Sequence, residues 1–256
     1  MKIITLNTWG GRAGKDNLLS FIKKHDDADV FCFQEIWSTP YQHLEGSVVG
    51  RKTLHPEHIM VHGLQEISAL LSNHDAYFRP HHLENYGLLM MVRKSLHVLE
   101  EGERFVHEHK GYEPVGDVGN HARNIQYVTI KTEAGPVTII NFHGLWNGKG
   151  KTDCEERLVQ SARIIEFLRD RDEPIVLCGD FNLLPDTESL TSLERTGLRN
   201  LVMEYNITST RTSFYEWPEK YADYILISEG IQAQEFEVLP DEVSDHAPLL
   251  LDFSVA

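Results

Sequence analysis

The chain has 256 residues, 41% of them apolar and 25% charged, the composition of a globular protein with room for one large domain or two small ones. Its net charge of −15 repels polyanions over long range, which disfavours tight non-specific nucleic-acid binding but still admits a phosphorylated substrate wherever a local cation neutralises a site. Three widely spaced cysteines (Cys32, Cys154, Cys178) offer neither a disulfide framework nor a zinc cluster, and no apolar stretch is long enough for a signal peptide or a membrane span, so a cytoplasmic monomer is expected.

In chain order, residues 2–6 read as a short strand that delivers Asn7, Thr8 and Trp9 to its end, where Gly10 and Gly11 break it. Leu18, Leu19, Phe21 and Ile22 have helical spacing, and Val30–Phe33 is a second apolar strand ending in Gln34 and Glu35. Two strands, each ending in a polar group with a helix between, make a βαβ-like unit. Residues 39–62 read as an irregular insertion or lid, and 64–71 as a helix. Strands are expected over 76–78, 88–92 and 97–105, followed by a long loop over 107–121. Residues 124–131 and 136–142 form a predicted hairpin whose second strand runs into His143.

The clearest predicted helix covers 154–168, with Leu158, Ala162, Ile165 and Leu168 along one face. An apolar strand over 175–178 then ends in Gly179-Asp180-Phe181-Asn182, a tetrapeptide equally suited to a turn or to a site. A short helix over 187–195, a strand over 224–227 entered through Asp223, and a last strand over 249–253 preceded by Ser244-Asp245-His246-Ala247-Pro248 complete the chain. There is no internal repeat and no linker, so a single domain over residues 1–256 of mixed α and β structure is expected.

Six strand ends thus carry polar residues: Asn7, Glu35, His143, Asp180 with Asn182, Asp223, and Asp245 with His246. One such residue is ordinarily a solvated or capping group. Six that converge would join oxygen donors to two imidazoles. Carboxylate and amide oxygens suit a hard cation, Mg²⁺ or Mn²⁺, rather than zinc. A carboxylate can then deprotonate water, while imidazoles and amides hydrogen-bond phosphoryl oxygens.

Asn7, Gln34-Glu35, Gly179-Asp180-Phe181-Asn182, Asp223-Tyr224-Ile225-Leu226 and Ser244-Asp245-His246-Ala247-Pro248 resemble, in order, the motifs of the endonuclease/exonuclease/phosphatase superfamily. The resemblance runs from Asn7 to Pro248. It implies an α/β (α+β) fold, a four-layer α/β sandwich of two mixed, mostly antiparallel β-sheets packed face to face with helices outside. It also implies a hydrolase cleaving a phosphodiester or phosphomonoester by in-line attack of an activated water, with Mg²⁺ or Mn²⁺ as cofactor. By position, Glu35 would be the principal metal carboxylate, with Asn7 nearby and Asp245 completing the metal environment. Asp180 would orient or deprotonate water, Asn182 would hold the water or a phosphoryl oxygen, and His246, oriented by Asp223, would contact the scissile phosphate together with His143.

Pancreatic-type nucleases of the superfamily support the histidine at the His143 position with a glutamate, whose place here is taken by Tyr86. Arg123 could reach a phosphate or be a surface arginine. Asn147 and Tyr86 could likewise reach a substrate phosphate, and Lys149 and Lys151, just after His143, read as a local basic rim or, more readily, as a solvated loop. Trp9, Trp37 and Trp146 follow three of the proposed site segments, as core or as pocket wall, and His55, His58, His62, His81 and His82 read as surface residues. The substrate could be a nucleic acid, a phospholipid headgroup or a small phosphoester. The competing functions are a catalytically silent binding module and a structural metal site on the same fold.

Overall fold

A computed structural model describes residues 1–39 and 58–256, together with the backbone of two short strands at 48–49 and 52–53. The expected lid over 39–62, with His55, lies largely outside the described residues. In chain order the elements are β1 (Lys2–Asn7), α1 (Lys15–Lys24), β2 (Val30–Trp37), β3 (Val48–Val49), β4 (Lys52–Thr53), α2 (Gly63–Leu70), β5 (His74–His82), β6 (Tyr86–Arg93), β7 (His97–His107), β8 (Arg123–Thr132) and β9 (Gly135–His143). They continue with α3 (Glu155–Arg169), β10 (Ile175–Asp180), α4 (Glu188–Glu194), β11 (Arg199–Asn200), α5 (Leu201–Glu204), β12 (Asp223–Ile227), β13 (Ile231–Val238) and β14 (Leu249–Val255).

Two six-stranded sheets carry the fold, ordered β13-β14-β1-β2-β6-β5 and β11-β12-β10-β9-β8-β7. Each has one parallel pair at its centre, β1 with β2 and β9 with β10, flanked by antiparallel neighbours. With α1 and α2 on one outer face and α3 and α4 on the other, this is the expected four-layer sandwich. Period-2 alternation explains the layers. Ile3, Val30, Cys32, Met90 and Val92 join the inter-sheet core, while their neighbours Ile4, Phe31, Phe33, Leu89 and Met91 pack with Leu18, Phe21, Ile22 and Ile67 from the outer helices. Cys32 and Cys178 are buried and free, as expected for core thiols.

The same alternation carries polar groups inward at the strand ends. From Ile3, the inward face of β1 continues through Thr5 to Asn7; from Cys178, that of β10 continues to Asp180. Glu35 breaks the pattern. Simple parity after Cys32 puts Gln34 inside and Glu35 outside. A register shift between Phe33 and Ile36, with Glu35 at φ +59°, bulges β2 and swings the carboxylate to the Asn7 side. A β-bulge that re-aims a side chain beside a site is a recurring device. Beneath it, Gln34 Nε2 donates to Thr5 Oγ1 (3.1 Å) and Asn141 Oδ1 (2.7 Å), and Asn141 Nδ2 donates to Phe33 O (3.0 Å). This buried network ties the two sheets together under the polar strand ends.

Gly179 shows how close β9 and β10 lie. Its φ is +134°, and a Cβ there would collide with the Phe142 carbonyl oxygen. Only glycine fits that position, which explains the residue before Asp180.

Three readings of the sequence need correction. The buried face of α3 is Arg157, Gln160, Ser161, Ile164, Phe167 and Leu168, and Leu158 is 40% exposed. The cause is polar: Gln160 Oε1 accepts from Leu145 N (3.0 Å), and Arg157 donates to the carbonyls of Leu145, Gly150 and Thr152. These residues hold the 145–152 loop, so the helix turns two polar side chains inward. The strand expected over 76–78 extends to His82, which buries both His81 and His82. Finally, β13 was not anticipated. It is an edge strand whose apolar positions are interrupted by exposed Gln232, Glu235 and Glu237.

Candidate active site

The C-terminal ends of both parallel pairs open onto one rim. Register places Asp180 opposite His143 on β9 and opposite Asp223 on β12. Asn7 and Glu35 reach the same place from the other sheet. Asp180 Oδ2 is the meeting point. Asn7 Nδ2 donates to it at 2.9 Å, and the Nε2 atoms of His143 and His246 each stand 3.6 Å away. Both imidazoles stop just short of a hydrogen bond to that oxygen. Asp180 Oδ1 accepts from the backbone N–H of Asn182 (2.9 Å), whose φ of +52° turns its side chain back toward Gly144 O (3.3 Å).

His246 is anchored through Nδ1, 2.9 and 2.8 Å from the two oxygens of Asp223. Burial pushes the Asp223 carboxyl up to about 7 and His246 down to about 4, the nearby Arg211 cation adding to the second effect. One shared proton therefore sits between them, and Nε2 is left facing Asp180. Thr210 Oγ1 accepts from the backbone N–H groups of Ala222 and Asp223, and Ser244 Oγ donates to Asn7 O (2.7 Å) while accepting from His246 N. These bonds clip the last loop onto β1.

His143 is supported by Arg123, with Tyr86 standing where pancreatic-type nucleases carry a glutamate. Arg123 Nη1 donates to His143 Nδ1 at 3.3 Å, and Arg123 Nη2 donates to Gly119 O (3.0 Å). Since guanidinium has no acceptor, Nδ1 is the acceptor and the ring hydrogen is on Nε2, toward Asp180. Burial and then the Arg123 charge hold the ring well below the usual imidazole range, so it is neutral. Arg123 itself is 2% exposed, so it is not a surface arginine. Tyr86 packs instead against Trp37 (4.8 Å between ring centroids) and edge-on to His121 (5.4 Å).

Glu35, Asp180 and Asp245 form a carboxylate group in which Glu35 Oε2 faces Arg12 Nη1 at 3.4 Å. Glu35 Oε1 accepts from Asn7 Nδ2 (3.2 Å), and Asp245 Oδ2 faces Arg211 Nη1 (3.3 Å). Asp245 Oδ1 is buried with no hydrogen-bond partner among the described residues, and burial raises its pKa, with Glu35 and Asp180 adding to the rise. An orphaned carboxylate oxygen among hard oxygen donors is the environment that Mg²⁺ or Mn²⁺ relieves, and Glu35 and Asp245 could hold it. Asn7 spends its oxygen on Trp9 N (2.9 Å) and turns its nitrogen to Glu35 and Asp180, so it bridges the two carboxylates. Asp180, Asp223 and His246 also bring ligand atoms within 4.8 Å of one another, but Asp223 is committed to His246 Nδ1.

The rim opens into a cavity of about 720 Å³. Trp9, Trp37 and Trp146 wall it, with Tyr215 and Trp217. Asn147 is not among its lining residues. Its Oδ1 accepts from Lys149 N (3.1 Å) and its Nδ2 meets Cys154 Sγ (3.6 Å), so it shapes the loop and does not reach the cavity. Lys151, expected in a solvated loop, is 1% exposed and lines the cavity. Arg211 lines it too. No sequence pattern marks it, because it sits in an irregular stretch and becomes part of the site only through its bridge to His246. His81 and His82, read as surface residues, are buried, and their rings stack on His121 at 5.0 and 4.6 Å.

A strand-end rim of carboxylates and imidazoles on two stacked mixed sheets is the arrangement that the sequence motifs imply. The profile of the endonuclease/exonuclease/phosphatase family matches residues 4–246, and the chain belongs to that family. A family protein from Bacteroides thetaiotaomicron superposes with a TM-score of 0.75 at 16% identity, covering 100% of this chain and 98% of that one. A mannosyl-6-phosphatase from Bacteroides thetaiotaomicron gives 0.73 at 17% identity over 99% of both chains. The human Nocturnin catalytic domain, with a bound sulfate, gives 0.69 at 18% identity over 100% of this chain and 94% of that one. At these identities the likeness is one of fold. No curated protein matches by sequence. Among the described residues, no helix is long and apolar enough to cross a membrane.

Proposed function

We propose that the protein is a divalent-metal-dependent phosphoesterase that hydrolyses a phosphodiester or phosphomonoester by in-line attack of an activated water. The observation that carries this reading is the convergence on Asp180 Oδ2 of Asn7 from one sheet, of His246 from the loop that leads into β14 of that same sheet, and of His143 from the other sheet. Asp180 orients the water and takes its proton, and Asn182 steadies the water or a phosphoryl oxygen. His143 donates through Nε2 to a phosphoryl oxygen. His246, held by Asp223, faces the same phosphate and can pass a proton through the Asp223 pair. Glu35 and Asp245 would hold Mg²⁺ or Mn²⁺, with Asn7 keeping Glu35 and Asp180 in place. The ion would supply neutralisation of the phosphate charge and polarisation of its oxygens.

Support comes from the family membership and from the phosphatase and sulfate-bound relatives of the same fold. Hydrolysis requires a nucleophile activator, a charge sink and a leaving-group partner, and the rim offers a residue for each. The test is a panel of nucleic acids, sphingomyelin, inositol phosphates and sugar phosphates in Mg²⁺. Turnover of at least one class is expected. No turnover on any of them by protein that binds the metal in calorimetry would overturn the reading and leave a binding module.

A further inference from the structure

Two buried cations on one wall of the cavity are not used by the roles described above. Lys151 is 1% exposed, and its Nζ donates to Tyr221 O (2.9 Å) and lies 4.8 Å from the centroid of the Tyr215 ring. Among the described residues it has no ion-pair partner within 4 Å, although three N–H donors need acceptors. The Arg211 side chain is 4% exposed, with its guanidinium carbon 4.0 Å from the centroid of the same Tyr215 ring. Its Nη1 faces Asp245 Oδ2 at 3.3 Å, and its buried Nε has no hydrogen-bond partner.

A buried ammonium with no ion-pair partner in contact is costly, and unfilled buried donors are rare in folded proteins. Lys151 is also built in, not swung there by chance. Arg157 holds the carbonyls on either side of it, Gly150 and Thr152, and Leu184 N donates to Lys151 O (3.0 Å). Burial draws the ammonium down to about 8, so it remains charged at neutral pH. Both cations border the reacting centre. Arg211 pairs its backbone with His246, and the charges of Asp180 and Asp223 are felt at the Lys151 ammonium.

We propose that Lys151 and Arg211, sharing Tyr215 as a platform, form an anion subsite that selects a doubly charged phosphate, that is, a terminal phosphomonoester over a phosphodiester. The assignment rests on the phosphoesterase reading. A diester presents one negative charge and two organic arms. A monoester presents two charges and three terminal oxygens, enough acceptors to meet the open donors of Lys151 and Arg211. The same chemistry could serve a second, non-scissile phosphate on the alcohol of a diester, and the experiment separates the two.

Three substrates are compared in Mg²⁺: p-nitrophenyl phosphate, bis(p-nitrophenyl) phosphate, and a diester whose alcohol carries an extra phosphate. The variants are Lys151→Met, which keeps length without charge, Arg211→Met, and the charge-preserving Lys151→Arg and Arg211→Lys. Wild-type protein is expected to prefer the monoester. Lys151→Met should lose roughly tenfold or more in kcat/KM on it, with less than about threefold on the simple diester; Arg211→Met should show a similar monoester-to-diester ratio on top of a loss common to all substrates from unpairing Asp245; and the charge-preserving changes should restore part of the loss. Equal losses on all three substrates would mean a structural role and overturn the proposal. A loss confined to the diester with the extra phosphate would overturn the monoester assignment. If wild-type protein turns over none of the three nor any member of the broader panel, the phosphoesterase reading itself fails, an outcome distinct from unaltered selectivity in an active enzyme.

Discussion

Asp180→Asn is expected to lower phosphoester hydrolysis by roughly 10²- to 10⁴-fold while the protein stays folded. Asp180 is 1% exposed and is the only carboxylate within 4 Å of both His143 Nε2 and His246 Nε2 among the described residues. The amide keeps the size and one acceptor oxygen but cannot take a proton from water. Its structural cost is bounded. One oxygen must now serve the N–H groups of Asn182 and Asn7, and leaving one donor unmet costs about 1–3 kcal/mol. Removing a negative charge beside Glu35 and Asp245 offsets part of that cost. His246→Ala should show a similar loss of turnover, because Asp223 then has no imidazole to orient. Near-native turnover by either variant would place the chemistry elsewhere. Chemical denaturation of both variants separates a catalytic loss from unfolding.

The second large effect is on stability below neutral pH. His81, His82, His121 and His143 are buried, and burial, followed by the Arg123 charge, lowers all four. His25, His74 and His107 are lowered as well, again chiefly by burial. The unfolded chain takes up protons at these rings near pH 6.5, and the folded chain resists them. Stability is therefore fully present above about pH 6.5 and falls as the pH drops toward 4. For His82 the shift from 6.5 to about 4 corresponds to about 3 kcal/mol by the bottom of that window. Asp223, raised to about 7, works in the opposite direction, and His246, lowered to about 4, largely offsets it. The net expectation is a urea midpoint that declines steeply between about pH 6.5 and 4, with a shallower decline in His82→Phe. A midpoint that stays flat or rises through this window would contradict the neutral-histidine core.

Most of the fold was legible because it depends on short-range pattern. Ile3, Cys32 and Cys178 alternate with outward neighbours, and the polar strand ends Asn7, Asp180 and Asp223 follow from that alternation. Glu35 was correctly placed at a strand end, but the bulge that turns it inward has no signature in Val-Phe-Cys-Phe-Gln-Glu. The sequence leaves the cations open for a physical reason. Whether Arg123, Lys151 or Arg211 is buried depends on Gly119, Tyr215 and Tyr221, which are distant in sequence or in irregular stretches. Lys151, in the Gly/Lys-rich run after Asn147, reads as a solvated loop until Arg157 is seen to hold that loop down. The face of α3 was misassigned because apolar periodicity cannot anticipate an arginine and a glutamine turned inward to satisfy loop backbone. His81 and His82 were missed because β5 extends past Pro80, where the sequence suggests an end.

The measurement that bears most directly on the central claim is a metal titration of hydrolysis. Protein stripped with EDTA is assayed on p-nitrophenyl phosphate and bis(p-nitrophenyl) phosphate as Mg²⁺ or Mn²⁺ is added back, beside Glu35→Gln. The expected result is no turnover without metal, saturable recovery with either ion, and recovery shifted to higher metal concentration in Glu35→Gln. Turnover that persists in EDTA, or recovery that ignores the loss of the Glu35 charge, would contradict a metal-dependent phosphoesterase built on these strand ends.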